Sequence, residues 1–508
     1  MAISSLFPQL FAGSFLVLIC LLLKRRYLTS IRDIPGPFFA SFTGAWQVYK
    51  LIKGDQHVDM IKLHRRYGSF VRISHKEVSV GDPDAAREVL QAHLRKTEFY
   101  SVFSLPDYNY VNQMSELDPK EQIRKSRNVN PGYALSNVIR SEPQVDTLIQ
   151  LLEQRLDECI NAAQPQQHDE DDAPGGVVDL NRWLTYLTFD VLGEVTFSQP
   201  FGFLAAGYDI RGTLANARYL VVYLGFVGRY PAIHHATLGN PLLSKLGIQP
   251  TSHLFDTVAV AMENRARNPH VRRDMMAQWE EVRATRPDRM AADEIGNAAL
   301  ANVGAGGDTT SATIQACLHF VVNSGGEKRS VLSRLREEID GAQDRGELSE
   351  MISYAETQKL PFLQACLKEA YRCHAAFASA FPRVVPAEGF TAGGRTFTSG
   401  TVLSVNPWVI NRSPSVFGAD ADTFNPDRWL DAEAAKRMAP YLMQWGTGYN
   451  QCPGRNLANL QACKVVAQLV RDYDMEPIQR GGKFTFRNRL LCVPDDHMCR
   501  LKRRSRAA

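Results

Sequence analysis

The chain opens on an apolar run and then settles into helical spacing for most of its length. From Leu6 to Leu23 the run is almost wholly apolar, broken only by Pro8, Gln9 and Ser14, and residues 1–23 carry no charged side chain. Eighteen residues at about 1.5 Å each span roughly 27 Å, near the thickness of a bilayer core. Lys24, Arg25, Arg26 and Arg32 follow. A cleaved signal peptide would place the positive charge before the run and small residues after it. The reversed order predicts one transmembrane helix, with residue 24 onward in the cytosol. The expected division is a tail (1–5), a transmembrane anchor (6–23), a basic and Pro-rich linker (24–39) and one globule (40–508). Pro35-Gly36-Pro37 reads as a stiff elbow, because proline fixes φ and donates no N–H.

In the globule, helical periodicity predicts helices over 58–66, 83–95, 138–163, 180–195, 251–284, 293–323, 326–342, 361–374 and 454–473. Phe70, Ile73, Val78 and Val80 alternate as a short hairpin does. Residues 164–176 are polar and acidic and read as a surface loop. Residues 201–247 are apolar and aromatic with scattered Gly and Pro. Residues 383–406 alternate around Gly389, Gly393, Gly394 and Gly400, as small β-hairpins do, and short strands follow residue 473. The expected fold is mainly α with a minor β part, a single large globule with no repeat and no internal linker.

Composition changes this picture little. Apolar residues make up 44% and charged residues 22% of the 508, which excludes a disordered chain. A net charge of +4 makes no case for nucleic acid, and the basic tail (Lys502, Arg503, Arg504, Arg506) reads as a solvated end. The nine cysteines are odd in number, irregularly spaced and contain no CxxC pair, so neither a disulfide framework nor a zinc site of usual spacing fits. Cys317, Cys366 and Cys463 fall at helical spacing and read as packing; His319 and His374 read as core or turn histidines. Asn411-Arg412-Ser413 matches a glycosylation acceptor, but the cytosolic side argues against its use.

Three segments carry candidate chemistry. In Trp445-Gly446-Thr447-Gly448-Tyr449-Asn450-Gln451-Cys452-Pro453-Gly454, glycines surround one cysteine just before a helix. Glycine lets backbone approach a flat ligand closely. The positive end of the helix dipole favours thiolate, and such a thiolate suits an axial metal ligand. A buried structural cysteine in a turn is the competing account. Glu369 and Arg372 share a helix face, and Arg428 in Phe424-Asn425-Pro426-Asp427-Arg428-Trp429 would complete a buried charge network if it reached Glu369. Ala305-Gly306-Gly307-Asp308-Thr309-Thr310 places two glycines inside a helix, each costing about 1 kcal/mol against alanine. They would leave room for a small ligand where the helix passes over a flat cofactor. Thr309 would bond back to the Ala305 carbonyl, and Asp308 would pass protons. A phosphate-cradling loop needs a strand before it and a helix after it; helical sequence lies on both sides here.

Taken in order, AGGDTT, ExxR, FNPDRW and the Gly-rich cysteine loop resemble the cytochrome P-450 superfamily of haem-thiolate monooxygenases, over nearly the whole chain. The resemblance implies the cytochrome P-450 fold and a haem b cofactor with Cys452 as axial iron ligand. It makes Asp308 and Thr309 the acid–alcohol pair that delivers protons to dioxygen, and Glu369, Arg372 and Arg428 a structural triad. Arg383 would pair a haem propionate; Trp445, Gly446, Gly454 and Ala305 would lie against the cofactor. Electrons would come from NADPH through a membrane reductase, at the endoplasmic reticulum. The loop looks most like fungal members of secondary metabolism. Substrate-facing residues would include Phe103, Tyr108, Tyr110, the 219–227 stretch, Ala301, Phe377 and Leu490, which implies a lipophilic substrate.

The chain departs from the family at several positions. Trp445 stands where the family usually has Phe. Asn450 stands where a basic residue usually binds a propionate, and the family's His-Pro is His374-Ala375. Gln122 and Ser126 occupy positions that usually carry Trp or His and then Arg. Arg124 and Arg127 beside them are the expected substitutes, so haem would be held by Arg383 plus one of these. Two other functions share these motifs: an O2-independent haem-thiolate isomerase or dehydratase, which intact Asp308 and Thr309 argue against, and a non-enzymatic haem-binding membrane protein.

Overall fold

The computed structural model describes residues 2–162, 176–246, 248, 252–268, 272–324, 330–478, 486–495 and 497–505. The side chains of 2–11, 252 and 477 lie outside that description, as do the acidic 164–175 segment, Arg506 and the start of the 326–342 prediction. The fold is mainly helical with a minor sheet part.

Most predicted helices are present, and where one prediction became two helices a proline or a cap made the cut. The 138–163 prediction is Leu135–Arg140 and Glu142–Ala162, broken at Ser141. Pro143 has no N–H to donate to the Ile139 carbonyl and suits the first turn of the second helix. The 201–247 stretch folds as Phe203–Ala206, Thr213–Val227, Pro231–Ala236 and Pro241–Lys245, the last two started by proline at the first helical position. The 251–284 prediction divides into Ser252–Arg267 and Met275–Thr285, and Asp274 caps the second through the Ala277 N–H.

The long central helix Ala292–Asn323 forms the axis of the main core, flanked by Leu180–Phe197, Pro361–Cys373 and Arg455–Asp472. Its contact with Leu180–Phe197 is close because of its glycines. A Cβ on Gly307 would run into the Phe189 ring, and one on Gly306 would stand 3.0 Å from Leu192. The Thr188 hydroxyl donates to the Gly307 carbonyl at 3.0 Å. The two glycines therefore serve helix–helix packing, which corrects the expectation that they clear space for a ligand. A four-stranded sheet runs in the order Phe70–Arg72, Glu77–Val80, Val402–Val405, Phe381–Val384. A second apolar cluster packs on it.

The N-terminal helix extends from Ala2 to Tyr27, so Lys24, Arg25 and Arg26 form its last turn. Residues 15–18, 21 and 23 present exposed large apolar side chains. Among the described residues no helix is long and apolar enough to cross a membrane. The expected transmembrane helix is therefore present only as a helix: part of its apolar run lies outside the described side chains, and the rest ends in three cations. The segment read as a linker folds onto the globule. Ile31 and Ile34 are core residues, and the Arg72 N–H donates to Pro35 O at 2.8 Å. Gly36 lies so close over the Arg72 carbonyl that no Cβ fits. The buried Arg72 guanidinium donates to the carbonyls of Arg25 (2.6 Å) and Arg26 (3.0 Å), closing the open end of the helix.

Candidate active site

The cysteine loop is shaped by its own backbone. Gly446 and Gly448 take positive φ (64° and 65°), and the Cys452 N–H donates to Trp445 O at 2.7 Å. Cys452 lies just before the helix Arg455–Asp472, and the N–H groups of Gly454 and Arg455 point at its sulfur. Burial raises the thiol above its ordinary value, and those N–H groups and the Arg455 charge only partly offset it. The helix terminus alone therefore does not make the thiolate; a coordinated metal cation would, since it deprotonates a thiol outright. Trp445 sits edge-on to Tyr371 at 5.4 Å, and the Tyr371 hydroxyl donates to Asn459 Oδ1 at 2.8 Å.

Glu369, Arg372 and Arg428 come together. Arg372 donates Nε and Nη2 to the two Glu369 oxygens (2.9 and 2.7 Å), and Arg428 Nε reaches Oε1 at 2.9 Å. Glu369 and Arg372 are fully buried. Trp429 Nε1 and the Asn425 N–H also donate to Glu369, each at 2.8 Å, and Asp420 takes Arg428 Nη2 at 2.9 Å. Arg372 Nη1 bonds Asn411 O, and Asn411 Oδ1 accepts the Met443 N–H at 3.0 Å. The network thus holds the chain two residues before Trp445. Sequence reading did not single out Trp429, Asp420 or Asn411 for this network.

The basic end of the site differs from expectation. Arg124 is taken by Glu294 in the first turn of the central helix (2.6 Å), by Glu121 and by Arg289 O, so it is not free to replace the missing arginine. Arg127 is exposed. Arg383 is buried, with Nη1 on Tyr100 Oη (2.9 Å) and Pro382 O (3.0 Å), and Lys96 pairs with it across an isolated β-bridge. Among the described residues Lys96 Nζ donates to the Gln113 and Met114 carbonyls, at 3.1 and 3.0 Å. Burial, and then the Arg383 charge, push its ammonium well below the usual lysine range. Both cations lie over the Tyr100 ring. Nothing in the sequence marked Lys96: it is a lone lysine in an irregular segment.

Ala301, Ala305 and Thr309 share one face of the central helix. Gly304 and Ala305 are exposed although Asn302, Val303 and Gly307 are buried. A Cβ on Gly304 would meet nothing within 4 Å. Thr309 Oγ1 donates to Ala305 O at 2.7 Å. Asp308 is buried and faces Arg218 of the helix Thr213–Val227, Nε to Oδ1 3.5 Å. Burial raises its carboxyl above the ordinary range and Arg218 draws it back. Further along the helix Thr213–Val227, Leu220, Leu224 and Val227 join Phe99, Tyr100, Val102 and Leu490 in an apolar cluster, with Phe103 and Phe377 packed on it. Tyr108 and Tyr110 do not join it: both are exposed, and Tyr108 packs edge-on to His235.

The residues fit a flat, dianionic metal cofactor. Among the described residues two buried cations have no carboxylate within ion-pair distance, Arg383 Nε and Asn450 Nδ2 are buried with no hydrogen-bond partner, and a lone cysteine sulfur is aimed from a helix start. Comparison with known proteins decides the matter: the family model of cytochrome P450 matches residues 34–499. The chain belongs to the cytochrome P450 family. As a P450 it is a haem-thiolate monooxygenase. It is 30% identical over 495 residues (94% of this chain, 95% of the other) to cytochrome P450 monooxygenase cicH of Emericella nidulans. It is 29% identical over 474 residues (91% of each chain) to cytochrome P450 monooxygenase gsfF of Penicillium aethiopicum. Pisatin demethylase of Fusarium vanettenii is 28% identical over 471 residues, 91% of this P450 and 86% of the demethylase.

Proposed function

We propose that this P450 oxidises a lipophilic small molecule of fungal secondary metabolism, using O2 and electrons from NADPH passed by a cytochrome P450 reductase. The observation that carries the reading is one sulfur at a helix start together with two buried cations that have no carboxylate within ion-pair distance among the described residues. Cys452 would bind the iron; Arg383, Lys96 and Asn450 would hold the propionates. Haem, when bound, supplies the redox chemistry of dioxygen. The chain supplies the rest. The apolar roof of Phe103, Leu220, Leu224, Phe377 and Leu490 takes the substrate and excludes water. Asp308 takes a proton from solvent on its carboxylate and passes it to Thr309 Oγ1, whose hydroxyl swings from Ala305 O to donate. The net reaction consumes substrate C–H, O2, NADPH and one proton and yields alcohol, water and NADP+.

The cleft outside the cysteine loop, about 710 Å³, is lined by Lys368 and Arg455 and no carboxylate, which suits an acidic face of the reductase. The exposed apolar helix and the cations that end it support anchoring at the endoplasmic reticulum, catalytic part in the cytosol. The test is the spectrum of the dithionite-reduced protein under carbon monoxide, with Cys452→Ala beside it. The strongly red-shifted Soret band of thiolate ligation, lost in the variant, is the expected result. A band at the histidine-ligated position would overturn the reading.

A further inference from the structure

Arg229 stands just past the last turn of the helix Thr213–Val227, where the chain closes on Phe99. Its backbone N–H donates to Phe226 O at 3.2 Å. A Cβ on the preceding Gly228 would stand 2.7 Å from the Phe99 ring, so the two segments touch. The guanidinium lies over the same ring, Cζ 5.2 Å from the centroid. Phe99, Tyr100 and Val227 around it belong to the apolar cluster. The side chain keeps 11% of its exposure, so the charge is sheltered without being sealed.

This cation is poorly answered. Among the described residues its guanidinium makes no hydrogen bond. The one carboxylate acting on it is Glu77 of the strand Glu77–Val80, Nη1 to Oε1 3.8 Å. Glu77 is committed elsewhere: Oε1 accepts the Ser404 hydroxyl at 2.5 Å and Oε2 accepts Gln47 Nε2 at 2.8 Å. Those bonds tie it to the neighbouring strand and to the helix Ala45–Lys53. Tyr100, the other group acting on Arg229, already takes Arg383 on its oxygen. Burial works against the Arg229 charge, and Glu77 and Tyr100 draw it back. A guanidinium offers five N–H donors in a planar fork that matches a carboxylate through two parallel bonds. Sheltering such a group with no acceptor is costly, and the fold gains no bond from it.

We infer that Arg229 is a specificity-determining residue that receives a carboxylate of the substrate, whose apolar body lies along Leu220 and Leu224. The substrate class is then a lipophilic acid. The inference rests on the reading of the apolar cluster as the substrate site of a haem-loaded enzyme. A phospholipid phosphate offers similar chemistry from a membrane, and the experiment separates the two sources.

The test uses the full-length haem-loaded chain in dodecyl maltoside, free of phospholipid, as parent, Arg229→Met, Arg229→Lys, Glu77→Gln and the double variant Arg229→Met/Glu77→Gln. Equal carbon-monoxide bands at the thiolate position establish equal haem content. The probes are the straight-chain acids from decanoic to octadecanoic, each beside its methyl ester, with dihexanoylphosphatidate as the lipid-phosphate probe. Equilibrium dialysis gives each Kd, and the ratio of parent to variant cancels partition into micelles. Loss of a charge-assisted contact weakens binding about tenfold or more. Arg229→Met should weaken the acids by that factor and leave their esters unchanged, and Arg229→Lys should restore part of the loss. Without ligand, the urea midpoint of Arg229→Met should equal or exceed the parent's, because the fold loses no hydrogen bond. A drop that matches Glu77→Gln, with the double variant no worse than either, makes Arg229 half of a framework pair and overturns the inference. So does a series in which no acid binds the parent better than Arg229→Met, or in which acid and ester weaken alike. Binding of dihexanoylphosphatidate that depends on Arg229, with no such dependence for the acids, assigns the residue to a lipid headgroup and overturns it too. A parent without the thiolate band fails the haem reading first and takes the inference with it.

Discussion

Two buried charge clusters flank the cysteine loop, and they are built on opposite principles. Around Glu369 every charge is answered: two arginines, an indole N–H and a backbone N–H converge on one carboxylate, and Asp420 takes the remaining arginine nitrogen. Around Arg383 and Lys96 no carboxylate of the described residues is in hydrogen-bond reach; Glu116 acts on Lys96 only from a distance, and the Arg383 charge opposes it. A buried charge is tolerable only when paired. The first cluster is complete as folded and serves to hold the loop. The second has no such answer among the described residues, so the contrast separates framework from candidate binding site.

The sharpest way to break the comparison is to remove Glu369. Glu369→Ala leaves Arg372 buried without its carboxylate and Arg428 with Asp420 alone, a loss of about 3–5 kcal/mol. The expected outcome is failure to accumulate haem-thiolate protein, read by the carbon-monoxide band against total chain on a blot. Arg383→Met should behave differently: the chain accumulates, but haem escapes. Losing a charge-assisted bond of about 1.5–3 kcal/mol corresponds to haem transfer to apomyoglobin faster by at least tenfold. Lys96→Met should do the same to a smaller degree, and Arg124→Met should leave haem retention at the parent value. Retention unchanged in both Arg383→Met and Lys96→Met would remove the distinction between the clusters.

Glycine offers a smaller contrast. Gly307→Ala forces the Phe189 ring aside, an overpacking cost of about 1–3 kcal/mol visible as a lower urea midpoint. Gly304→Ala meets no neighbour and should gain up to about 1 kcal/mol from helix propensity.

A last contrast is in pH. Burial and then Asp472 push the Glu153 carboxyl up to about 7. The folded chain thus holds a proton there that the unfolded chain releases above its ordinary range. Stability from this group is full below about pH 4.5 and is lost as pH rises through 7. Glu153→Gln should flatten that limb of a urea-midpoint curve between pH 5 and 8.

Much of this was legible because the chemistry demands particular residues at particular spacings. A thiolate loop needs its glycines beside Cys452, and Glu369 and Arg372 must share a helix face. Long periodic helices such as Ala292–Asn323 announce themselves. What stayed hidden depends on partners far along the chain. Arg124 stands beside the expected position, but Glu294 captures it from the central helix. Lys96 matters only because a bridge brings it to Arg383, and Arg218 only because its helix crosses above Asp308. Gly306 and Gly307 stood out as costly, but their reason was a neighbouring helix, not a ligand. Spacing reports what one segment can do and is silent on which distant segment it meets.

The grip of Arg72 on the carbonyls of Arg25 and Arg26 has a mechanical consequence. Arg72 belongs to one edge strand of the four-stranded sheet and Arg383 to the other. The N-terminal helix and the cofactor cation are thus mounted on the same plate, a few strands apart. A load on the end of that helix therefore passes through Arg72 into the sheet and across it toward Arg383.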